Sequence, residues 1–279
     1  MIKIISKHNE NILSYLTNFE GLNFNKIQSL FRKKDIKVNK KRVTNDYWIC
    51  IGDEILLYAD YNEFFNIPVI YEDKNIVIVD KPKKIEVISE NRSISLINLI
   101  NPKFFAVHRL DFNTEGLVVI AKNEESKNIL DECFKESKVN KEYATICKNI
   151  PKNENDIFED YLLKNDCKVE ISSKMKKDSK KIITEIQLLS KKKNYSLLKV
   201  SLKTGRTHQI RAHLAFHNLF ILGDEKYGDF KTNKLLGLKT QILKCYKLSF
   251  DLENTKLSYL NGKLFETNID RIKEYFNNL

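Results

Sequence analysis

No C-x-x-C pair occurs among the five cysteines of this 279-residue chain, Cys50, Cys133, Cys147, Cys167 and Cys245. They are odd in number and dispersed, so reduced, mostly buried thiols are expected rather than disulfides or a cysteine metal site. No apolar run approaches the roughly 20 residues needed to span a bilayer. The opening segment Met1-Ile2-Lys3-Ile4-Ile5-Ser6-Lys7-His8 lacks a signal-peptide pattern. Together these absences predict a cytoplasmic protein. There is also no P-loop, no G-x-G-x-x-G and no cysteine–histidine zinc spacing, so no cofactor and no metal are expected. No internal repeat is apparent.

What is present is apolar content for a core and a great deal of lysine. At 42% hydrophobic residues the chain is a folded protein, with room for one or two domains. Its net charge of +11 is uneven. Lys26–Arg42 holds eight basic residues against Asp35, a net of +7. Lys168–Arg206 holds twelve against Glu170, Asp178 and Glu185, a net of +9. The remainder is therefore slightly acidic. Two localised positive surfaces suit a polyanion such as RNA, whose binding is driven partly by counterion release. The competing explanation is a solvated lysine-rich face.

The chain divides by pattern. Residues 1–60 read as a compact unit. Helical spacing is expected over Asn11–Phe19 and Phe24–Lys34, then a strand Ile36–Val38, a turn Asn39–Arg42 and a strand Glu54–Tyr58. Ile27-Gln28 before Phe31-Arg32-Lys33, then Ile36-Lys37-Val38-Asn39 and Gly52-Asp53-Glu54, resemble the small RNA-binding domain shared by a small-subunit ribosomal protein and many RNA-modifying enzymes. Arg32, Lys33, Lys34, Lys37, Lys40, Lys41 and Arg42 would then contact phosphates, which position RNA without reading its sequence. The alternative is a helical cap packed on an enzyme. Residues 61–68 read as a linker closed by Pro68. Residues 69–279 read as a larger domain, with strands at Val69–Tyr71, Ile76–Asp80, Leu117–Ala121, Tyr143–Cys147, Ile182–Leu188 and Leu197–Leu202. Helices are expected at Ser126–Ser137, Thr207–His217 and Thr267–Phe276, and Lys174–Lys181 reads as a mobile basic loop. Strands and helices do not alternate regularly, so an α+β fold with a mixed, largely antiparallel sheet is predicted.

One segment carries chemistry. His108-Arg109-Leu110-Asp111-Phe112-Asn113-Thr114-Glu115-Gly116-Leu117 places a carboxylate in a basic tight turn, just before the apolar run to Ala121. That is a poor choice for packing and a good one for catalysis. The segment resembles the HRLD-x-x-T-S-G-L signature of the RluA family of pseudouridine synthases, with Glu115 where Ser is usual. Thr204-Gly205-Arg206-Thr207-His208-Gln209-Ile210-Arg211-Ala212-His213-Leu214 resembles the family's G-R-T-H-Q-I/L-R-x-H. Gly223-Asp224 through Tyr227-Gly228 resembles its G-D-x-x-Y-G, Lys141-Glu142-Tyr143 its K-x-Y, and Lys81-Pro82 its K-P-x-G, with Lys84 replacing the Gly. The resemblance runs from about Val69 to about Phe250.

The resemblance implies the pseudouridine synthase fold and an enzyme that isomerises uridine in RNA, most often in large-subunit ribosomal RNA and in some relatives in transfer RNA. DNA and membranes are not expected partners, and a monomer is expected. It implies Asp111 as the catalytic residue, acting as nucleophile or as base. A desolvated carboxylate must be kept charged, and Arg211 is the implied counterion. Tyr143 is the implied base-stacking tyrosine, and Arg109 the residue that fills the gap left by the flipped nucleotide. Arg206 and His208 are implied RNA contacts. His108 is expected to stabilise the turn. His208 and His213, five apart, lack the helical spacing of a zinc pair. Two rival functions are a non-catalytic RNA-binding or ribosome-assembly factor and a carboxylate-based hydrolase pairing Asp111 with a His. The latter leaves both basic windows unexplained.

Overall fold

The computed structural model describes residues 2–19, 22–59, 65, 67–89, 94–164 and 168–279. Cys167 and the linker positions 61–64 and 66 lie outside these. Period-2 alternation, with one face buried, builds a four-stranded antiparallel sheet from the N-terminal segment. Its order is Ile2–Ile5, Glu54–Leu57, Ile36–Val38, Lys41–Val43. Ile2, Ile4, Ile36, Val38, Ile55 and Leu57 are its buried side chains. The helix Phe24–Lys33 starts where the Asn23 side chain accepts the Lys26 backbone N–H. It stops at Lys34, which takes the left-handed conformation at φ 62°.

Three expectations about this unit need correction. The segment read as a helix over Asn11–Phe19 is a helical turn Ile12–Ser14 that widens into a π turn over Tyr15–Phe19. The reversal is shorter than 39–42: Asn39 and Lys40 both have positive φ, 47° and 69°, and Lys41 already pairs with Val38. That is a two-residue hairpin turn matched to strand twist. The basic residues consequently do not share one turn. They run from the helix end across the hairpin, and all but the half-buried Lys37 are exposed. The strand Ile2–Ile5 itself was hidden from the sequence reading.

The second sheet has twelve strands among the described residues, nine of them in one path. Its order is Val169–Ser172, Asn155–Lys164, Lys180–Lys192, Tyr195–Leu202, Val139–Lys148, Leu243–Phe250, Glu115–Ala121, Ile76–Lys81, Val69–Glu72. Every neighbouring pair is antiparallel except one: Glu115 and Gly116 run parallel to Lys244 and Cys245. The mixed, largely antiparallel α+β architecture is as expected. Among the described residues no strand pairing joins the two large sheets, whereas buried apolar contact is continuous between them and includes Ala59 and Phe65.

Two elements matter for the site. The helix Glu124–Lys135 is capped by Asn123 and carries Glu124 and Glu125 in its first turn, where the helix dipole favours anions. The helix Gln209–Phe216 is buried over Gln209–Leu214 and has no exposed face there. The expected basic loop 174–181 is a turn at Lys176–Ser179, with Lys180 and Lys181 already in the next strand. Part of the second positive window is neutralised, because Lys181 pairs with Glu159 at 2.6 Å and Lys203 with Glu185 at 3.5 Å.

Candidate active site

The parallel pair dictates a glycine. Gly116 sits at φ +120°, and a Cβ there would lie 2.1 Å from the backbone oxygen of Cys245. Only glycine lets the two strands close at this point. The turn immediately before it is held by the Thr114 N–H donating to the Asp111 carbonyl at 3.0 Å, and by the Gln241 amide donating to the Thr114 hydroxyl at 3.2 Å. This turn delivers Asp111 into a cleft of about 510 Å³.

Asp111, Tyr143, Arg211, Arg109, Arg206 and His208 all line that cleft. They come from three separate stretches of chain. Arg32, Lys33, Lys34, Lys37, Lys40, Lys41 and Arg42 do not line it and lie on the N-terminal unit. Among the lining residues Asp111 is the one carboxylate, against the cations Arg109, Lys135, Lys141, Lys203, Arg206 and Arg211. Such a field favours a polyanionic ligand.

Arg211 is held from two sides. Its Nε and Nη2 donate to the two carboxylate oxygens of Asp224 at 2.7 and 2.9 Å, and its Nη1 donates to Asp111 Oδ2 at 2.9 Å. Asp224 also accepts the Lys226 and Tyr227 backbone N–H groups, so its charge is fully satisfied although its side chain is 0% exposed. Burial pulls the Arg211 guanidinium down, but Asp224 and Asp111 more than reverse this and its net shift is upward. Burial likewise pushes the Asp224 carboxyl up, and Arg211 overrides it to leave a net lowering. The Tyr227 ring lies under the guanidinium at 5.3 Å, and the Tyr227 hydroxyl meets His208 Nδ1 at 3.0 Å. The motif glutamine has a local job. Gln209 Oε1 accepts from the Thr204 hydroxyl and the Arg206 N–H, which folds the segment ahead of the helix.

Tyr143 enters from Val139–Lys148 at a register irregularity after Glu142. Burial, then the neighbouring Cys245 and Asp111, push its phenol well above the usual tyrosine range. His108 ties its segment to the strand Glu115–Ala121: its Nε2 accepts the Val119 N–H at 2.9 Å and its ring stacks on Phe134 at 4.5 Å. Burial, then Lys141, hold its imidazole well below the usual value, so it is neutral.

Three residues of the site had no role assigned from sequence. Asp224 is the anchor for Arg211, and its signal was the Gly-Asp pair already quoted. Lys81 is fully buried and donates to the carbonyls of Pro82, Ile85 and Phe112, the last in the Asp111 turn. Burial, opposed by Asp111 and Glu115, brings its ammonium down to about 7. Lys84, in place of the usual glycine, takes the left-handed conformation at φ 63° that explains why glycine suits that position. His213 is buried away from His208, and its neighbour is His217 one helical turn on, with Asp160 between them.

The chain matches the RNA pseudouridylate synthase family over residues 75–216. It is 34% identical to the ribosomal large subunit pseudouridine synthase D of Borreliella burgdorferi, over 82% of this chain and 74% of that one. It is 32% identical to an uncharacterized RNA pseudouridine synthase of Mycoplasma capricolum, over 96% of this chain and 98% of that one. In fold it is similar to human RNA pseudouridylate synthase domain containing 4, with a TM-score of 0.61 at 20% identity over 75% of this chain and 91% of that one. With the motifs in order and a mixed sheet beneath them, the chain belongs to the RNA pseudouridine synthases of the RluA type, enzymes that isomerise uridine in RNA.

Proposed function

We propose that this enzyme acts on large-subunit ribosomal RNA, with Asp111 as its catalytic carboxylate. The observation that carries Asp111 is the 2.9 Å bond from Arg211 Nη1 to its Oδ2 inside a cationic cleft. Pseudouridine formation breaks the bond from ribose to base nitrogen, turns the uracil and forms a bond from ribose to base carbon. The reaction needs an ionised carboxylate at the sugar. Burial alone would disfavour that charge, and a guanidinium with its own buried counterion offsets the penalty without leaving the site neutral. Asp111 then acts as nucleophile or as base at the ribose. Tyr143, kept as a phenol, presents its ring to the uracil and assists proton transfer at carbon 5. Arg109 occupies the gap left by the flipped nucleotide, where it recovers part of an unstacking cost of a few kcal/mol. Arg206 and His208 meet the strand at the rim.

Ribosomal RNA is favoured because relatives such as the Borreliella burgdorferi and Buchnera aphidicola proteins carry that substrate in their names. Residues 1–60 serve as an RNA-positioning domain joined by residues 61–68 to a catalytic domain over 69–279. Supporting this, Arg32, Lys33, Lys34, Lys40, Lys41 and Arg42 are exposed and make no ion pair among the described residues. A monomer in the cytoplasm is the expected working form.

The test uses RNA carrying tritium on uracil carbon 5. The wild-type protein releases tritium, and Asp111→Asn binds the RNA but releases none. Turnover by pure Asp111→Asn protein removes Asp111 from the mechanism. Pseudouridine mapping of total RNA from a strain lacking the gene names the substrate. A signal lost from transfer RNA instead of large-subunit RNA overturns the ribosomal assignment.

A further inference from the structure

One cluster of donor atoms outside the cleft has no part in uridine isomerisation. Asp160 lies on the strand Asn155–Lys164, on the inward face between the buried Phe158 and Leu162. His213 and His217 stand one turn apart on the helix that also carries Arg211. His213 Nε2 and His217 Nε2 point at the same carboxylate oxygen, Asp160 Oδ2, at 3.0 and 2.7 Å. One donor atom from each of the three residues falls within 4.8 Å of the others.

We propose that Asp160, His213 and His217 form a binding site for one divalent transition-metal ion of the zinc class, which ties the helix Gln209–Phe216 to the strand Asn155–Lys164. The donor set is two imidazoles and one carboxylate, which suits zinc and its neighbours rather than calcium or magnesium. With metal bonds of about 2.0–2.1 Å in a tetrahedron, donor atoms lie roughly 3.3–3.4 Å apart. The two nitrogen–oxygen spacings, 3.0 and 2.7 Å, would open by roughly 0.3–0.7 Å to reach this. His213 already has the orienting partner that metal-bound histidines use: its Nδ1 meets the Thr184 hydroxyl at 2.8 Å, and the Gln209 amide donates to that same hydroxyl at 3.1 Å. In the metal-bound tautomer Nδ1–H donates to Thr184 and Nε2 turns its lone pair to the ion. The His217 ring is fixed by stacking on Phe158 at 3.8 Å and 7°. The His213 side chain is 0% exposed and the His217 side chain 30%, so the cluster opens to solvent on one side. That gives an entry path and a fourth position for water. The bound ion is structural, because none of Asp111, Tyr143 and Arg211 is a ligand.

The experiment uses the full chain without a histidine tag, stripped with chelator and then titrated with Co²⁺ and with Zn²⁺. Wild type is expected to bind one ion per chain, with a visible Co²⁺ absorption that Zn²⁺ abolishes. Its melting temperature should rise by roughly 5–10 °C at a hundredfold excess of Zn²⁺ over Kd. His217→Ala and Asp160→Asn should each weaken binding at least tenfold and lose the Zn²⁺-dependent rise. His217→Gln serves if His217→Ala does not fold. The stripped wild type should still release tritium from uridine-labelled RNA below its melting temperature, so failure of the metal site leaves the enzyme assignment standing. Equal Zn²⁺ affinity in wild type and the His217 variant, or no saturable binding in wild type, overturns the proposal.

Discussion

Replacing Asp224 by Asn tests whether Arg211 is aimed at Asp111 from behind. Asp224 accepts two bonds from Arg211 and two from backbone N–H groups, with no exposure of its side chain. Asn has nearly the same shape. It must turn either its NH2 toward the guanidinium or its NH2 toward the Lys226 and Tyr227 N–H groups, and both orientations set donor against donor. Arg211, with a side chain only 10% exposed, is left with Asp111 as its one carboxylate partner. Breaking one side of a buried ion pair costs about 3–5 kcal/mol. For domains of roughly 150–250 residues each kcal/mol is worth about 2–4 °C, so the melting temperature should fall by roughly 6–20 °C. The protein should stay folded at 20 °C, since domains of this kind have about 5–15 kcal/mol to lose. A shift of Nη1 by about 1 Å from Asp111 should cost on the order of 10²-fold in the chemical step. The assay is single-turnover tritium release at saturating RNA, run beside a thermal melt and an RNA-binding titration. Binding should change little, because Asp224 is buried beneath the cleft floor. A variant that melts within about 2 °C of wild type and turns over at the wild-type rate refutes the claim that Asp224 positions Arg211.

Three further outcomes are expected. Neutralising Arg32, Lys33, Lys34 and Lys37 together should weaken RNA binding and reduce the log–log salt slope by roughly 0.7–0.9 per lost phosphate contact, with the single-turnover rate at saturation unchanged; normal binding at every salt concentration makes this unit a structural cap. Gly116→Ala places a Cβ 2.1 Å from the Cys245 carbonyl oxygen at φ +120°, so it should lower the melting temperature and slow tritium release together; an unperturbed melt removes the close approach of the two strands. Asp224 has a carboxyl lowered in the folded protein, so it binds fewer protons there than in the unfolded chain. Its stabilisation is complete above the unfolded value and is lost as pH falls through the lowered folded value. Wild-type melts should therefore drop more steeply with acid below about pH 4 than those of Asp224→Asn, and parallel curves contradict the ion pair.

Much of the site was legible because each motif carries its own local geometry. The motif segments holding Asp111, Tyr143 and Arg211 were picked out separately, and the fold brings all three to one cleft. The Arg211 helix was placed to within two residues. Its all-round burial, by contrast, is a tertiary property that a periodicity of 3.6 does not report. The hairpin at Asn39-Lys40 was read two residues too long because lysine gives little sign of a positive φ. The pairing of His213 with His217 was missed for a similar reason. The motif itself holds only His208 and His213, and His217, the partner one helical turn from His213, lies just beyond it. Asp160 had a signal in retrospect, as an acidic residue on the apolar alternation Phe158-Asp160-Leu162. Little local in Leu243–Phe250 marks it as a central strand, since its two neighbours on the main path come from far earlier in the chain and only the short Leu264–Glu266 lies nearby.

That last strand bears on how the protein is made. Leu243–Phe250 lies between Val139–Lys148 and Glu115–Ala121, and it supplies the parallel contact beside the Asp111 turn. A ribosome synthesises it after every other strand on the nine-strand path. Until it emerges, the growing sheet exists as two blocks with two unsatisfied inner edges, and Gly116 has no backbone to close against. The strand pairings of the four-stranded N-terminal sheet involve nothing beyond residue 57, so their partners are all synthesised early. The residues of the basic hairpin are thus complete long before the strand that closes against Gly116. During that interval the two open edges, rather than any feature of the finished enzyme, are the places most exposed to mispairing with another chain.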